Sequence, residues 1–206
     1  MIKRLTFMFI TVALSCALMD ASAQNNASDI LNRIIETYDN SKGIEASYSI
    51  TYDKTTDHGT IDMEGEKFRI LSEDLKCWFD GKTQWSYSTM TDEVNITEPT
   101  IEELQMSNPY IALKTFKDNS QNSVVTTQSG TYMLTLIPKE EGDIKLIQLF
   151  IDKSKYQIMK AVFSMADNSM YTIMVNNYVT GKKFSSKIFR YDSKYVPKGT
   201  QIVDLR

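Results

Sequence analysis

The sequence predicts an α+β protein whose main element is an antiparallel sheet of about ten or eleven short strands, accompanied by an N-terminal helix and a two-helix insertion. Three observations support this class. The apolar period changes from helical to strand-like after residue 43, tight turns join the strands, and prolines interrupt the strand pattern near residue 99. A sheet of so many strands must curl or close. Helices over its concave face would enclose an apolar cavity.

The first 23 residues have the features of a secretory signal peptide. A basic start precedes the apolar run Leu5–Leu18, and a small-residue cleavage site ends at Ala23. We therefore expect cleavage after Ala23, export to the periplasm, and a single domain at residues 24–206. Cys16 leaves a lipid anchor open as an alternative, although the residues before it lack the leucine typical of such a site.

Charge and cysteine content exclude several classes of protein. The net charge is −3, and without the signal peptide it becomes −4. The sequence contains no dense basic stripe, so nucleic-acid binding is not predicted. After cleavage Cys77 is the single cysteine, so no internal disulfide can form and the stability must come from the apolar core.

No group of residues predicts catalysis, a metal site or a cofactor. His58 is the single histidine, and it lies in a polar stretch that we interpret as a turn at Asp57–Gly59. The pairs Glu102-Glu103 and Glu140-Glu141 are adjacent in sequence, so their carboxylates do not face each other. We therefore predict a binding protein rather than an enzyme.

The N-terminal helix and the main strands follow from apolar periodicity. A helix is predicted at Asp29–Ser41, capped by Ser28 and ended by Gly43. Strands are predicted, among others, at Ile44–Asp53, Thr60–Glu64, Lys67–Ser72, Ser123–Gln128, Thr131–Pro138, Gln157–Met165 and Phe184–Tyr191, with a last edge strand at Gly199–Leu205.

An aromatic hairpin stands out in the middle of the sheet. Asp80-Gly81 favours a tight turn between the predicted strands Leu75–Phe79 and Thr83–Tyr87. Trp78, Trp85 and Tyr87 give this hairpin a large apolar side-chain surface. They belong either to the core or to the wall of a ligand cavity.

The insertion is predicted as two short helices, Pro99–Met106 and Pro109–Phe116, followed by a polar loop at Asp118–Gln121. In the second helix Tyr110, Leu113 and Phe116 recur every three residues and so share one face. Two short helices between strands are unusual for a plain meander. We interpret them as a cover over one face of the sheet.

An ordered set of short segments resembles the periplasmic outer-membrane lipoprotein carrier family. The segments are Gly43–Tyr48, Asp80–Trp85 followed by Tyr87, Asn108-Pro109, Leu136–Lys139, Ile147–Asp152 and Pro197–Gly199. The resemblance covers nearly all of residues 24–206. It implies an unclosed, strongly curved antiparallel β half-barrel whose helices form a lid over a hydrophobic cavity.

The resemblance also implies a function. Members of the family are periplasmic chaperones that bind the acyl chains of lipoproteins. They receive these lipoproteins from an inner-membrane exporter and carry them to an outer-membrane acceptor. We expect a monomer that needs no cofactor. Two alternatives stay open, namely a lipid-anchored acceptor and a lipoprotein- or peptide-sensing protein of the same fold.

The expected acyl site combines sheet and lid residues. They are Tyr48, Ile50, Phe68, Ile70, Trp78, Trp85, Tyr110, Leu113, Met159 and Phe163. The family resemblance puts Phe68 at the mouth of the cavity. The sequence departs from the family at Gly65–Ile70, which lacks the Arg-Pro pair that helps to hold the lid shut. Lys67 or Arg69 could take its place, or the latch could differ.

Overall fold

The computed structural model describes residues 27–126 and 130–206, and it shows an α+β fold built on one sheet. The strands are β1 (Ile44–Tyr52), β2 (Thr55–Glu64), β3 (Lys67–Ser72), β4 (Leu75–Phe79), β5 (Gln84–Ser88), β6 (Glu93–Thr97), β7 (Ser120–Thr126), β8 (Thr131–Pro138), β9 (Ile144–Asp152), β10 (Gln157–Met165), β11 (Met170–Thr180) and β12 (Gln201–Asp204). The helices are α1 (residues 27–39), α2 (Ile101–Leu104) and α3 (Pro109–Asn119).

The strand order is β12-β6-β5-β4-β3-β2-β1-β11-β10-β9-β8-β7. All neighbours are antiparallel except β12, which lies parallel to β6. The predicted class, a large curved antiparallel sheet with a few helices, is confirmed, with twelve strands instead of ten or eleven. Because the sheet stays open, β7 and β12 form its two edges.

The three helices and one face of the sheet share a single apolar core. Ile30, Leu31 and Ile34 of α1 are buried in it, as the helical spacing predicts. From the lid, which is the name we give to α2 and α3 together, Leu104, Ile111 and other apolar side chains enter the same core. We call the sheet face that these helices cover the concave face, and the opposite one the convex face.

The C-terminal segment 182–200 covers part of the convex face, and we call it the strap. We expected a strand at Phe184–Tyr191, but the segment forms short 3-10 turns at Ser186–Phe189 and Ser193–Tyr195. Its aromatic side chains pack onto the sheet. Phe189 is fully buried, and Tyr191 meets the Trp78 ring edge-on at 5.6 Å. The strand expectation was wrong because the apolar side chains at 184, 188, 189 and 191 pack a strap onto the sheet face and need no pairing with a neighbouring strand.

Two predicted connections are regular structure instead. The presumed turn at Asp57–Gly59 belongs to β2, whose polar first half pairs with the end of β1 through the backbone, and the chain turns at Asp53, with φ 52°. The presumed loop at Asp118–Gln121 is the end of α3 and the start of β7. The last edge strand is confirmed as β12.

The predicted signal peptide, its cleavage site at Ala23, Cys16 and the end of the predicted strand Ser123–Gln128 lie outside the described residues. Among the residues that are described, no helix has the length and apolar character needed to cross a membrane.

Candidate functional site

The concave face is an almost continuous apolar surface under the helices. On β3, Phe68 and Ile70 point into the core, and Phe68 lies 5.6 Å from the Phe79 ring of β4. On the other half of the sheet, Leu134 of β8 lies opposite Leu149 of β9, and both are buried. Because cross-strand neighbours share a face, the two halves form one apolar trough, which α1 and the lid fill.

The structure brings most of the predicted site residues to this trough. Phe68, Ile70, Tyr110 and Leu113 are buried in the core, and Tyr48 and Phe163 are half-buried and pack against it. Ile50 shares the face of Tyr48. It lies opposite Ile173, which also packs against the core. These residues remain candidates for the acyl site.

Three predicted site residues lie elsewhere. The register pairs Phe68 with Phe79, so the neighbouring Trp78 pairs with Arg69 and points to the convex face. Trp85 is directly opposite Trp78 and shares that face. Met159 is the extra residue of a β-bulge between Ile158 and Lys160, where it is half-buried. The period of two shows that Trp78 and Phe79 diverge, but the cross-strand register decides which of them faces the trough.

The contacts that hold the lid join Asn108 and Tyr110, which the sequence analysis named, to partners that it did not name. Asn108 is fully buried at the start of α3, and its side-chain oxygen accepts hydrogen bonds from the backbone N–H groups of Tyr110 and Ile111. Its amide nitrogen donates to the Glu66 carbonyl at 2.9 Å. One side chain therefore caps the helix and ties it to the β2–β3 turn. The pair Asn108-Pro109 predicts a helix N-cap, but the sequence does not predict the hydrogen bond from Asn108 to the Glu66 carbonyl.

A second contact joins α3 to α1. The Tyr110 ring stacks on Tyr38 at 4.0 Å, and its hydroxyl donates a short hydrogen bond to Asp39. The Lys114 ammonium lies 4.1 Å from the centroid of the Tyr110 ring. Burial, followed by the bond to Asp39, raises the pKa of Tyr110. We call Asn108, Tyr110 and their partners Glu66 and Asp39 the latch.

Arg69 does not take the place of the family's Arg-Pro pair in holding the lid. Its guanidinium donates to the Asp62 carboxylate at 2.9 and 2.5 Å, on the convex face. It therefore faces away from the lid. Lys67 is half-buried beside Gly65-Glu66, and the latch contacts described above come from other side chains.

The trough is a medium of low polarity. Burial raises the pKa values of Cys77, Tyr48 and Tyr178 to about 12 each, because it disfavours their ionised forms. Within residues 27–126 and 130–206, no three His, Cys, Asp or Glu side chains are grouped so that they could hold a metal ion. The arrangement suits an apolar ligand that displaces the side chains of the lid.

An open antiparallel sheet with helices in its concave face is the fold of a class of β half-barrel proteins. The family model for the outer membrane lipoprotein carrier protein LolA matches residues 18–168. The chain belongs to this family, as the short segments described above indicate. No curated protein matches the chain in sequence.

Several solved structures are similar to this chain at low sequence identity. An uncharacterized conserved protein from Thermus thermophilus has a TM-score of 0.59 and 15% identity, over 87% of this chain and 99% of that one. A putative outer membrane lipoprotein-sorting protein domain from Vibrio parahaemolyticus has a TM-score of 0.47 and 9% identity, over 81% and 97%. The Pseudomonas aeruginosa MucA/MucB complex contains a chain with a TM-score of 0.49 and 12% identity, over 82% and 62%.

Proposed function

We propose that this protein is a periplasmic carrier that binds the acyl chains of lipoproteins in the trough and takes them from the inner to the outer membrane. The observation that carries the proposal is the pairing of a continuous apolar trough with a lid fastened by a small polar latch. Membership of the lipoprotein carrier family supports it. An inner-membrane exporter would load the protein, and an outer-membrane acceptor would receive the cargo.

The energetics of exchange are balanced in a way that suits a carrier. Opening the lid exposes Leu104, Tyr110, Ile111 and Leu113, at roughly 1.5–3 kcal/mol for each side chain, or about 6–12 kcal/mol in total. Burying one acyl chain of about 15 methylenes returns about 12 kcal/mol. A ligand with two or three chains therefore favours the open, loaded form, while a molecule with a single short chain does not.

The test uses a charge placed on either face of the sheet. Phe163→Glu puts a carboxylate on the concave face, and Met174→Glu puts one on the convex face of the neighbouring strand β11, where Met174 is exposed. Both positions tolerate a polar side chain better than the buried Phe68 does. The probe is a tripalmitoylated cysteinyl peptide, measured by fluorescence titration and followed by transfer to acceptor vesicles.

We expect at least a tenfold loss of affinity in Phe163→Glu, because an unpaired charge in an apolar site is costly, and affinity within threefold of wild type in Met174→Glu. Melting curves of both variants check that they fold. Equal affinities for the two variants would contradict the assignment of the trough. A mature chain that begins with acylated Cys16, instead of Gln24, would make the protein an anchored acceptor.

A further inference from the structure

The strap separates its charged and apolar side chains onto two sides. Residues 182–200 contain six basic side chains and one acidic one, a net charge of +5, in a chain whose total is −3. Lys183, Lys187 and Lys198 are exposed, whereas Phe189 is fully buried and Tyr195 is half-buried. The strap therefore presents a positive surface on a protein that is negative elsewhere.

The inner side of the strap holds this surface in place. Tyr195 lies 6.2 Å from the Trp78 ring, and its hydroxyl accepts a hydrogen bond from Arg69 at 3.3 Å. Arg69 is in turn fixed by the buried Asp62. The lysines on the outer side are thus carried by a packed element of the fold.

Part of the positive charge of the strap is not engaged in ion pairs. Lys182 pairs with Glu45, Arg190 with Asp80 and Lys194 with Asp192, at 2.9–3.2 Å. Throughout the described parts of the chain, no ion pair within 4.0 Å includes Lys183, Lys187 or Lys198. Their field is therefore available to an external anionic partner.

Exposed apolar side chains adjoin the strap. The β5–β6 turn carries Met90, which is 92% exposed. Thr91 and Asp92 of this turn and Glu93 of β6 line one groove together with residues 197–201. Ile202, next in the chain, is also exposed, at 52%. Lysines beside protruding apolar side chains form the combination that binds membrane surfaces, through attraction to anionic lipids and shallow insertion.

We propose that the outer side of the strap, together with the Met90 turn, adsorbs to an anionic lipid bilayer. Lysines dominate, and they are distributed over the length of the strap, which fits a diffuse negative surface better than a single bound anion. Each basic side chain near such a surface strengthens adsorption by roughly fivefold. This inference goes beyond the proposed function, because adsorption needs neither cargo nor an open lid.

Vesicle co-sedimentation tests the proposal. Wild-type protein should bind vesicles of phosphatidylcholine mixed with phosphatidylglycerol, bind pure phosphatidylcholine at least tenfold more weakly, and dissociate as salt increases. Reversing the exposed lysines in K183E/K187E/K198E should weaken binding at least a hundredfold. The control K54E/K145E/K155E changes the net charge equally at exposed lysines elsewhere, and it should stay within threefold. Circular dichroism melts establish that both variants fold.

A label on the turn gives an independent readout. Met90→Cys can be labelled with an environment-sensitive dye, because the native Cys77 is only 2% exposed. Anionic vesicles should shift this dye to the blue, while the same dye at Lys54→Cys should not respond. Equal binding to both kinds of vesicle, or equal losses in the two triple variants, would overturn the proposal. Strap-dependent binding to an acidic protein without any binding to vesicles would also overturn it, and would assign the strap to a protein partner.

Discussion

At the scale of single residues, the hydroxyl of Tyr110 connects the lid to α1 through Asp39. Tyr110→Phe removes this bond and keeps the stacking on Tyr38. A hydrogen bond of this kind is worth about 1 kcal/mol, so we expect the lid to open about five times more often. The measurement is the rate at which a thiol reagent modifies Cys77, which lies in the trough.

Tyr87→Phe is the matched control for this substitution. The Tyr87 hydroxyl also donates to an aspartate, Asp92, at 3.1 Å, but on the side of the sheet away from the lid. The Tyr87→Phe variant should therefore leave the modification rate of Cys77 unchanged. If both variants accelerated modification equally, the Tyr110 bond would not be part of a latch.

The burial of the Cys77 thiol in the trough leads to a prediction about stability at alkaline pH. Burial raises the pKa of Cys77 from 9.0 to about 12. The folded state therefore keeps its thiol proton while the unfolded chain loses it. This contribution is complete below pH 9 and is lost as pH rises towards 12, by up to about 1.4 kcal/mol per pH unit. The buried tyrosines add to the same trend at higher pH.

Thermal unfolding of wild type and Cys77→Ala between pH 7 and pH 11 measures the contribution of the thiol. The alanine variant should be less stable at pH 7, because it leaves a small cavity. Its stability should fall less steeply above pH 9. Parallel curves for the two proteins would show that the thiol does not titrate differently on unfolding.

At the scale of elements, Asn108 connects α3 to the β2–β3 turn and separates two effects experimentally. Asn108→Asp keeps the capping oxygen and loses the donor to Glu66, whereas Asn108→Ala loses both. We expect Asn108→Ala to destabilise α3 by about 1–2 kcal/mol, and Asn108→Asp to loosen the lid mainly through the lost tertiary bond. Hydrogen exchange of α3, together with the modification rate of Cys77, distinguishes the two.

Thr100→Ala provides the comparison, because Thr100 caps α2 and is exposed. It should affect exchange in α2 and leave α3 protected. Slow exchange in α3 of Asn108→Ala, equal to that of wild type, would contradict the role of Asn108 in closing the lid.

The elements also show what the sequence can predict. Strands β3, β4, β8 and β10 have the predicted bounds, because each combines a period of two with turn residues at both ends. The first half of β2 was missed, since its polar residues are held by backbone pairing with β1. Strand propensity does not report such pairing, which is a tertiary effect.

At the scale of the whole molecule, the candidate site was predictable in part. Phe68, Ile70, Tyr110 and Leu113 meet in the trough, as the expected acyl site required. Trp78 and Trp85 do not lie in the trough. They lie on the convex face, which the strap covers and which therefore also needs apolar side chains. The sequence does not show that this second face is covered. Two covered faces offer two places for a buried tryptophan, and the cross-strand register selects between them.

The proposed function requires that the trough binds acyl chains that belong to lipoproteins. The decisive experiment is native mass spectrometry of the protein, released from the cell envelope without detergent. We expect a bound species with the mass of an acylated lipoprotein or its acylated N-terminal peptide, and loss of that species in Phe163→Glu but not in Met174→Glu. Protein that carries only free phospholipid, or no ligand at all, would contradict it.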